Sequence, residues 1–322
     1  MNELFAPLYE EAEADLLGVK DEVNGVAEAI RSNLGDERDR QILEELTPLQ
    51  LYFLKYWSTA HHCSLLSAFR ELSDASDTWR TRYENYKHAL LYTIYRGKRG
   101  IRKYYSGIDT FALLAAGNIR YFLELVDQSL LAHLQQHRTL SEPVSAITQT
   151  LASQHVGRKN LAELEGLAVN GAQLTKLLLA LGRIFHVMAV QLEAHTPEVN
   201  PFHIADEPVT AATAESLDML LKSAVMHLAL LRAPGNKLAD LGETRDYDYM
   251  VHPIFCPFFV FTYRRKRKMP IRPADLLALV RSPKKTIRAI LHSQKRVDNE
   301  PLPEQLLLFE GFYEGGPDSS SV

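Results

Sequence analysis

Apolar residues recur three or four positions apart along most of the chain, which is the spacing of amphipathic α-helices. This pattern predicts helices at residues 3–32, 40–72, 76–95, 145–165, 171–194 and about 211–231. Gly18 and Gly25 weaken the first of these helices, because glycine has a low helix propensity. The fold is therefore predicted to be mainly α.

Residues 251–263 have a different pattern. They are dense in Ile, Val, Phe and Tyr and are interrupted by Pro253 and Pro257, which favours edge β-strands over a helix. The segment predicts one short antiparallel β-hairpin. Further along, prolines begin predicted helices at 273–280 and 283–292, and the small, polar residues 311–322 predict a disordered tail.

A short turn separates two apolar helical runs near the middle of the chain. Ser106 and Asp109 have the spacing of a capping box for a helix that runs through Ala116. Gly117 is expected to end this helix, since a C-terminal residue of a helix often needs a positive φ angle. Asn118 is expected to cap the helix that follows.

That following helix has a predicted buried face with the spacing of an amphipathic helix. The face consists of Ile119, Phe122, Leu123, Val126, Leu130 and Leu134. Arg120 falls in the first turn, off this face. A cation there opposes the helix dipole at a cost of about 0.3–1 kcal/mol, so we expect an anionic group to compensate it.

Composition is that of a globular protein and sets the broad class. The chain has 322 residues, 46% of them apolar and 24% charged, which suits two domains with their own cores. No basic segment precedes an apolar run at the first residues, and no apolar run reaches the roughly 18 residues of a membrane span. These features predict a cytoplasmic protein without a membrane partner, and Cys63 and Cys256 are predicted to be reduced packing residues.

Charge is distributed unevenly, although the formal net charge is only −4. Residues 1–45 hold thirteen acidic and four basic side chains, whereas residues 264–296 hold twelve basic and one acidic. The basic segment begins with five adjacent cations, Arg264, Arg265, Lys266, Arg267 and Lys268. Two interpretations stay open for this run: a solvated turn, or a contact with a nucleic-acid phosphate backbone.

Motifs of enzymatic chemistry are missing from the sequence. It contains no phosphate loop, no dinucleotide-type glycine fingerprint, no His-Glu-x-x-His and no Gly-x-Ser-x-Gly elbow. His61, His62 and Cys63 are adjacent, so on a helix they point in different directions, and no second cluster completes a metal site. The sequence therefore predicts no catalytic residue and no metal.

The block from Lys103 to about Leu130 resembles the third lid helix and sensor-2 motif of origin-recognition-type AAA+ ATPases, including bacterial relatives from phage-defence loci. Residues 156–166, 197–202 and 252–259 continue the resemblance. It implies that Gly117, Asn118 and Arg120 form a nucleotide-sensing turn, in which Arg120 matches the arginine that contacts the nucleotide γ-phosphate. It also implies a winged-helix-like domain, with residues 264–268 at its wing.

The pattern and the resemblance together predict four segments. These are an N-terminal amphipathic helix at 1–35, a helical AAA+ lid-like domain at 36–140, a winged-helix-like domain at 141–310 and the tail at 311–322. The family's Walker A lysine and Walker B carboxylates have no counterpart, so the chain alone is not expected to hydrolyse ATP, and ATP with Mg²⁺ is expected only with a missing or separate P-loop core.

Two functions follow from these expectations. In the first, the chain is the accessory half of an origin-recognition-like ATPase, which senses nucleotide through Arg120 and contacts DNA or a partner through the basic wing. In the second, it is a helical scaffold whose acidic N-terminal helix docks on a partner protein, with no nucleotide involved.

Overall fold

The computed structural model describes residues 3–94, 100–167, 169–191, 198–234 and 247–314. These residues are mainly helical and include one small mixed sheet, which confirms the predicted fold class. They fall into two compact units. The small unit comprises residues 8–104 and 190–197, and the large unit comprises residues 1–7, 105–189 and 198–322. The changes between units do not coincide with the predicted boundaries at residues 35 and 140.

The small unit is built from short helices. In chain order they are α1 (Glu10–Leu16), α2 (Val19–Glu22), α3 (Val26–Arg31), α4 (Glu37–Glu45), α5 (Pro48–Ala60), α6 (Leu65–Asp74) and α7 (Ser76–Leu90). The prediction of one helix over 3–32 is wrong, because Gly18 and Gly25 take positive φ angles of 85° and 79° and restart the helix each time. Ala14, Val19, Val26 and Ile30 of α1 to α3 are buried, and these helices pack against α5.

A buried ion pair lies within the same unit. The ammonium of Lys103 is 2.7 Å from the Glu13 carboxylate, and both side chains are at most 5% exposed. The backbone N–H of Tyr104 donates a further hydrogen bond to Glu13 at 2.8 Å. These partners offset only part of the desolvation cost, because burial still raises the pKa of the Glu13 carboxyl.

The helices of the large unit include one that is strongly apolar. The first four are α8 (Ile108–Ala115), α9 (Ile119–Gln135), α10 (Ala146–Glu165) and α11 (Gly171–Val190). By length and composition α11 would be able to cross a membrane, and 89% of its 18-residue apolar window is buried inside the fold. This burial is that of a central core helix.

The sheet follows α11 and has the strand order β2-β3-β1-β4. Its strands are β1 (Val199–Ile204), β2 (Leu230–Pro234), β3 (Tyr247–Val251) and β4 (Arg267–Ile271). Helix α12 (Ala211–Met226) lies between β1 and β2 in the chain. Strand β3 pairs antiparallel with both β2 and β1, whereas β4 pairs parallel with β1. The antiparallel β2–β3 pair is thus formed by residues 230–234 and 247–251, not by residues 251–263.

Residues 253–259 form helical turns, so the prediction of edge strands at 251–263 is wrong. A 3₁₀ turn at Pro253–Phe255 leads into α13 (Cys256–Phe259), and both prolines lie in first helical turns, where their missing N–H costs nothing. Phe258 and Phe259 are fully buried. Gly182 of α11 permits this packing, because a Cβ at that position would lie 2.3 Å from the Phe259 ring.

The C-terminal elements are α14 (Pro273–Arg281), α15 (Pro283–Ser293), a 3₁₀ turn at Glu304–Phe309 and α16 (Glu310–Glu314). Pro273 and Pro283 therefore begin α14 and α15, as predicted. The prediction of a disordered tail from residue 311 is wrong for residues 311–314, which are helical. Residues 315–322, the rest of that prediction, lie outside the described residues.

Candidate anion-sensing turn and basic surface

The turn between α8 and α9 uses two consecutive left-handed residues. Helix α8 ends at Ala115, and Ala116 and Gly117 have φ angles of 48° and 84°. The N–H of Asn118 then donates to the Ala115 carbonyl at 2.9 Å, which closes the turn. The predicted stop at Gly117 is confirmed, although the left-handed conformation begins one residue earlier, at an alanine.

Of the two helix caps predicted from the sequence, one is present in the structure and the other is absent. Asn118 is the N-cap of α9, and its Oδ1 accepts a hydrogen bond from the Arg120 N–H at 3.0 Å, as predicted. The capping box predicted from Ser106 and Asp109 is wrong. Gly107 is the N-cap of α8, with φ of 99° and no side-chain hydrogen bond, and a Cβ there would lie 3.1 Å from the Cα of Pro7.

The core-facing side of α9 also differs from the predicted one. Its buried side chains are Tyr121, Leu125, Ser129 and His133. The hydroxyl of Ser129 donates to the Leu125 carbonyl at 2.7 Å, and a ring nitrogen of His133 lies 2.9 Å from the Thr139 carbonyl oxygen. Polar groups satisfied in this way can be buried. As a result the predicted face is rotated outwards: Ile119, Leu123 and Leu134 are 68%, 57% and 45% exposed.

Arg120 extends from the first turn of α9 into solvent, with 67% of its side chain exposed. The expected anionic partner is Glu163 of α10, whose Oε2 lies 3.0 Å from Nη2 of Arg120. Lys159 lies beside them, 3.6 Å from Glu163 and 2.6 Å from Glu124. The hydrogen bond from Lys159 to Glu124 raises the lysine pKa.

Arg183 has a structural role and provides a comparison for Arg120. Its side chain is 6% exposed, and its guanidinium lies 2.6 and 2.9 Å from one carboxylate oxygen of Asp298 and also donates to the Glu300 carbonyl. The exposed pair formed by Arg120 contributes at most about 1 kcal/mol, so its guanidinium is available to another anion.

A buried histidine packs beneath the start of α9. The ring of His252 meets the Tyr121 ring edge-on at 5.0 Å, and its Nδ1 accepts a hydrogen bond from the Ile254 N–H at 3.2 Å. Burial lowers the pKa of His252 to about 4, so this side chain is neutral at pH 7. The local sequence gave no sign of this contact, because the two residues are 131 positions apart.

The basic run 264–268, which the resemblance places at a wing, does not follow a strand, because residues 253–259 are helical. It leads into β4, which pairs parallel with β1. Buried acidic residues pair with cations of this run. Lys268 and Arg265 lie 2.8 and 3.3 Å from the buried Asp248, and Arg264 lies 3.5 Å from the buried Glu198. Lys266 and Arg267 are exposed.

Metal and thiol chemistry has little basis in the described part of the chain. No cluster of three or more His, Cys, Asp or Glu side chains there could hold a metal ion. Cys63 and Cys256 are free thiols. Cys256 is fully buried, and burial raises the pKa of its thiol, which makes it unreactive.

The mainly helical fold with its small mixed sheet agrees with a relative of origin-recognition-type AAA+ ATPases. Residues 4–271 match the family described as ORC-CDC6-like, and the chain belongs to that family. No curated protein and no solved structure matches the chain. The family match ends at Ile271, so α14 and α15 lie beyond it.

Proposed function

We propose that this chain is the accessory, regulatory C-terminal half of an origin-recognition-like AAA+ ATPase and that Arg120 senses the phosphate of a nucleotide. A missing or separate P-loop core holds that nucleotide with its Mg²⁺. The chain alone does not hydrolyse ATP in this proposal. It acts in the cytoplasm, without a membrane, and its relatives include those of phage-defence loci.

The observation that supports the proposal is that Arg120 is exposed on a turn of fixed conformation. The side chain is mostly exposed, its turn is fixed by two left-handed residues and an asparagine cap, and its ionic partner Glu163 is itself 45% exposed. A guanidinium can bind a phosphate with two parallel hydrogen bonds. An anion beside the first turn of α9 also interacts favourably with the helix dipole, which the arginine alone opposes.

The surroundings of the turn favour a protein as the source of the phosphate. Leu113 on α8 is 55% exposed, and Ile119 and Leu123 on α9 are 68% and 57% exposed. Single exposed apolar residues are ordinary, but several around one turn are typical of an interaction surface. A P-loop core that covers these side chains would place its nucleotide next to Arg120.

Contact with DNA through the basic run is the second part of the proposal. Lys266 and Arg267 are exposed cations of that run. They would supply backbone affinity without sequence preference.

The alternative of a nucleotide-free scaffold has one observation in its favour, the same exposed apolar side chains on α8 and α9. The acidic N-terminal segment is less suited to docking, because most of its large apolar side chains, including Val19, Val26 and Ile30, are buried. Under this alternative a partner would bind α8 and α9 equally well with and without nucleotide.

The test is the ATPase activity of the chain assembled with the P-loop core. We expect Arg120→Ala to lower kcat by about 100-fold, the typical loss when one donor to a developing charge is removed. The matched control is Arg138→Ala, since Arg138 is 61% exposed and also pairs with an exposed glutamate, Glu142. Unchanged hydrolysis by Arg120→Ala, or an equal loss in both variants, would remove the sensing role.

A further inference from the structure

A groove lies between helix α12 and strand β2. Arg232 of β2, Tyr249 of β3 and five side chains of α12 line it. The five are spaced by three, one, three and one residues, so they lie on one side of the helix: Asp218, Leu221, Lys222, Val225 and Met226. The groove contains a pocket of about 230 Å³. This volume is below that of ordinary cofactor sites and suits one side chain of a larger ligand.

Strand β2 forms an edge of the sheet, since among the described strands only β3 pairs with it. The register shows which of its residues bond to β3. The His252 N–H donates to the Ala229 carbonyl at 3.0 Å, just before β2 begins. Hydrogen-bonded pairs alternate along an antiparallel ladder, so the next residues of β2 that bond to β3 are Leu231 and Ala233.

Arg232 and Pro234 have the opposite orientation and direct their backbone groups away from β3. Proline suits this position, because its missing N–H costs the ladder no bond. Arg232 presents an N–H and a C=O group at the edge, and Pro234 adds a C=O group. Both residues are exposed. An edge with these groups can pair with an extended peptide, which becomes an added strand.

The groove also contains a cation that the described part of the chain does not neutralise. Arg232 forms no ion pair with another described residue, and its guanidinium carbon lies 4.3 Å from the centroid of the Tyr247 ring. Lys222, in contrast, is 2.6 Å from Asp218. Contact with an aromatic face holds a guanidinium in place. Its N–H groups remain available to a carboxylate of a ligand.

The composition of the groove favours a peptide over a nucleic acid. The Asp218 carboxylate is 57% exposed and would repel a phosphate backbone. The floor is apolar, since Leu221 is 7% exposed and Tyr249 is half-buried. Met226 at the rim is 72% exposed, and methionine adapts to side chains of different shape. A peptide with an apolar side chain for the pocket and a carboxylate for Arg232 matches these features.

We propose that the groove between α12 and β2 binds an extended, acidic peptide segment of a partner protein, which pairs with the edge of β2 and places a carboxylate on Arg232. The helix side from Asp218 to Met226 is about 12 Å long and an extended chain advances about 3.3 Å per residue, so about four peptide residues fit. The inference goes beyond the proposed function and depends neither on Arg120 nor on the basic run at 264–268.

The experiment begins with decapeptides that are selected from a random phage-displayed library on the immobilised full chain. Synthetic, fluorescein-labelled copies of the selected peptides are the probes, and fluorescence anisotropy measures their Kd. We expect the peptides to contain Asp or Glu. Arg232→Glu should weaken their binding at least about tenfold, because a charged hydrogen bond is lost and a repulsion is gained. Lysine in place of the peptide's acidic residue should restore binding to this variant.

Pairing with the β2 edge has a signature of its own. N-methylation removes one backbone donor of the peptide at a time, and only every second residue of an added strand faces β2. We expect losses of about threefold or more at alternate peptide positions and little change between them. A ligand held by its side chains alone would not give this alternation.

Matched variants separate the groove from net charge and from other sites. Arg158→Glu makes the same charge change at an exposed arginine of α10 outside the groove and should leave the Kd unchanged. Met226→Asp places a charge at the apolar rim and should weaken binding at least about threefold. Arg120→Ala should bind the peptides normally. Circular dichroism verifies that each variant is folded.

Four results would overturn the inference. The first is a selection that yields no binding peptide, and the second is an equal effect of Arg232→Glu and Arg158→Glu. The third is a loss on N-methylation without alternation. The fourth is a groove that binds a mixed-sequence DNA duplex through Arg232 but no peptide. Failure of the Arg120 prediction for ATPase activity would alter none of these measurements.

Discussion

Arg120 and Arg183 are chemically identical side chains with opposite environments, and this difference separates a site from a structural contact. Arg183 is buried against Asp298, and its removal would leave a largely buried carboxylate without this cation. Arg120 is exposed and shares Glu163 with Lys159. The sequence predicted that Arg120 needs an anion, because of the helix dipole. It could not identify Glu163, because that contact depends on how α10 packs against α9.

At the same scale, His252 makes folding stability depend on pH. Its pKa is about 4 in the folded state, against 6.5 for an unperturbed histidine. Below pH 6.5 the unfolded chain therefore binds a proton that the folded chain excludes. We expect this histidine alone to reduce the free energy of unfolding by about 3 kcal/mol between pH 6.5 and pH 4.

Urea denaturation across this pH range measures the effect against a matched variant. His252→Asn keeps a side-chain acceptor for the Ile254 N–H but removes the titrating ring. Its stability should fall less on acidification, by about the same 3 kcal/mol. Parallel pH profiles for the two proteins would show that the pKa of His252 is the same in the folded and unfolded states.

At the scale of elements, periodicity identified most helices because their buried faces are apolar. It failed in two instructive places. In α9 the apolar stripe of Ile119 and Leu123 is exposed, while the core takes Ser129 and His133, whose polar groups are satisfied locally. In residues 253–259 the aromatic side chains favoured strands, but packing against α11 decided the conformation. Both outcomes depend on tertiary contacts.

Helix α9 provides a matched pair of leucines for testing which side faces the core. Leu125 is fully buried and Leu123 is 57% exposed, two positions away on the same helix. We expect Leu125→Ala to lower the free energy of unfolding by about 2–5 kcal/mol and Leu123→Ala by less than about 0.5 kcal/mol. Chemical denaturation of both variants measures this difference. Similar losses would mean that the apolar stripe is buried in solution.

At the scale of the whole molecule, the two compact units could not be predicted from the sequence. The chain leaves the large unit after residue 7, returns at residue 105 and makes a second excursion at 190–197, so linear boundaries at 35 and 140 could not capture them. The asymmetry of charge was visible from composition. The acidic partner of each cation could not be predicted, since Asp248 is twenty residues from Lys268 in sequence but 2.8 Å from it in the fold.

The central claim is that Arg120 detects the terminal phosphate of a nucleotide bound to a P-loop core. The most direct measurement is the ratio of the Kd for ADP to the Kd for a non-hydrolysable ATP analogue, taken on the assembled complex. A hydrogen bond to a charged group contributes about 1.5–3 kcal/mol, so Arg120→Ala should reduce this ratio by about 10- to 100-fold while Arg138→Ala leaves it unchanged. An unaltered ratio in Arg120→Ala would contradict the account.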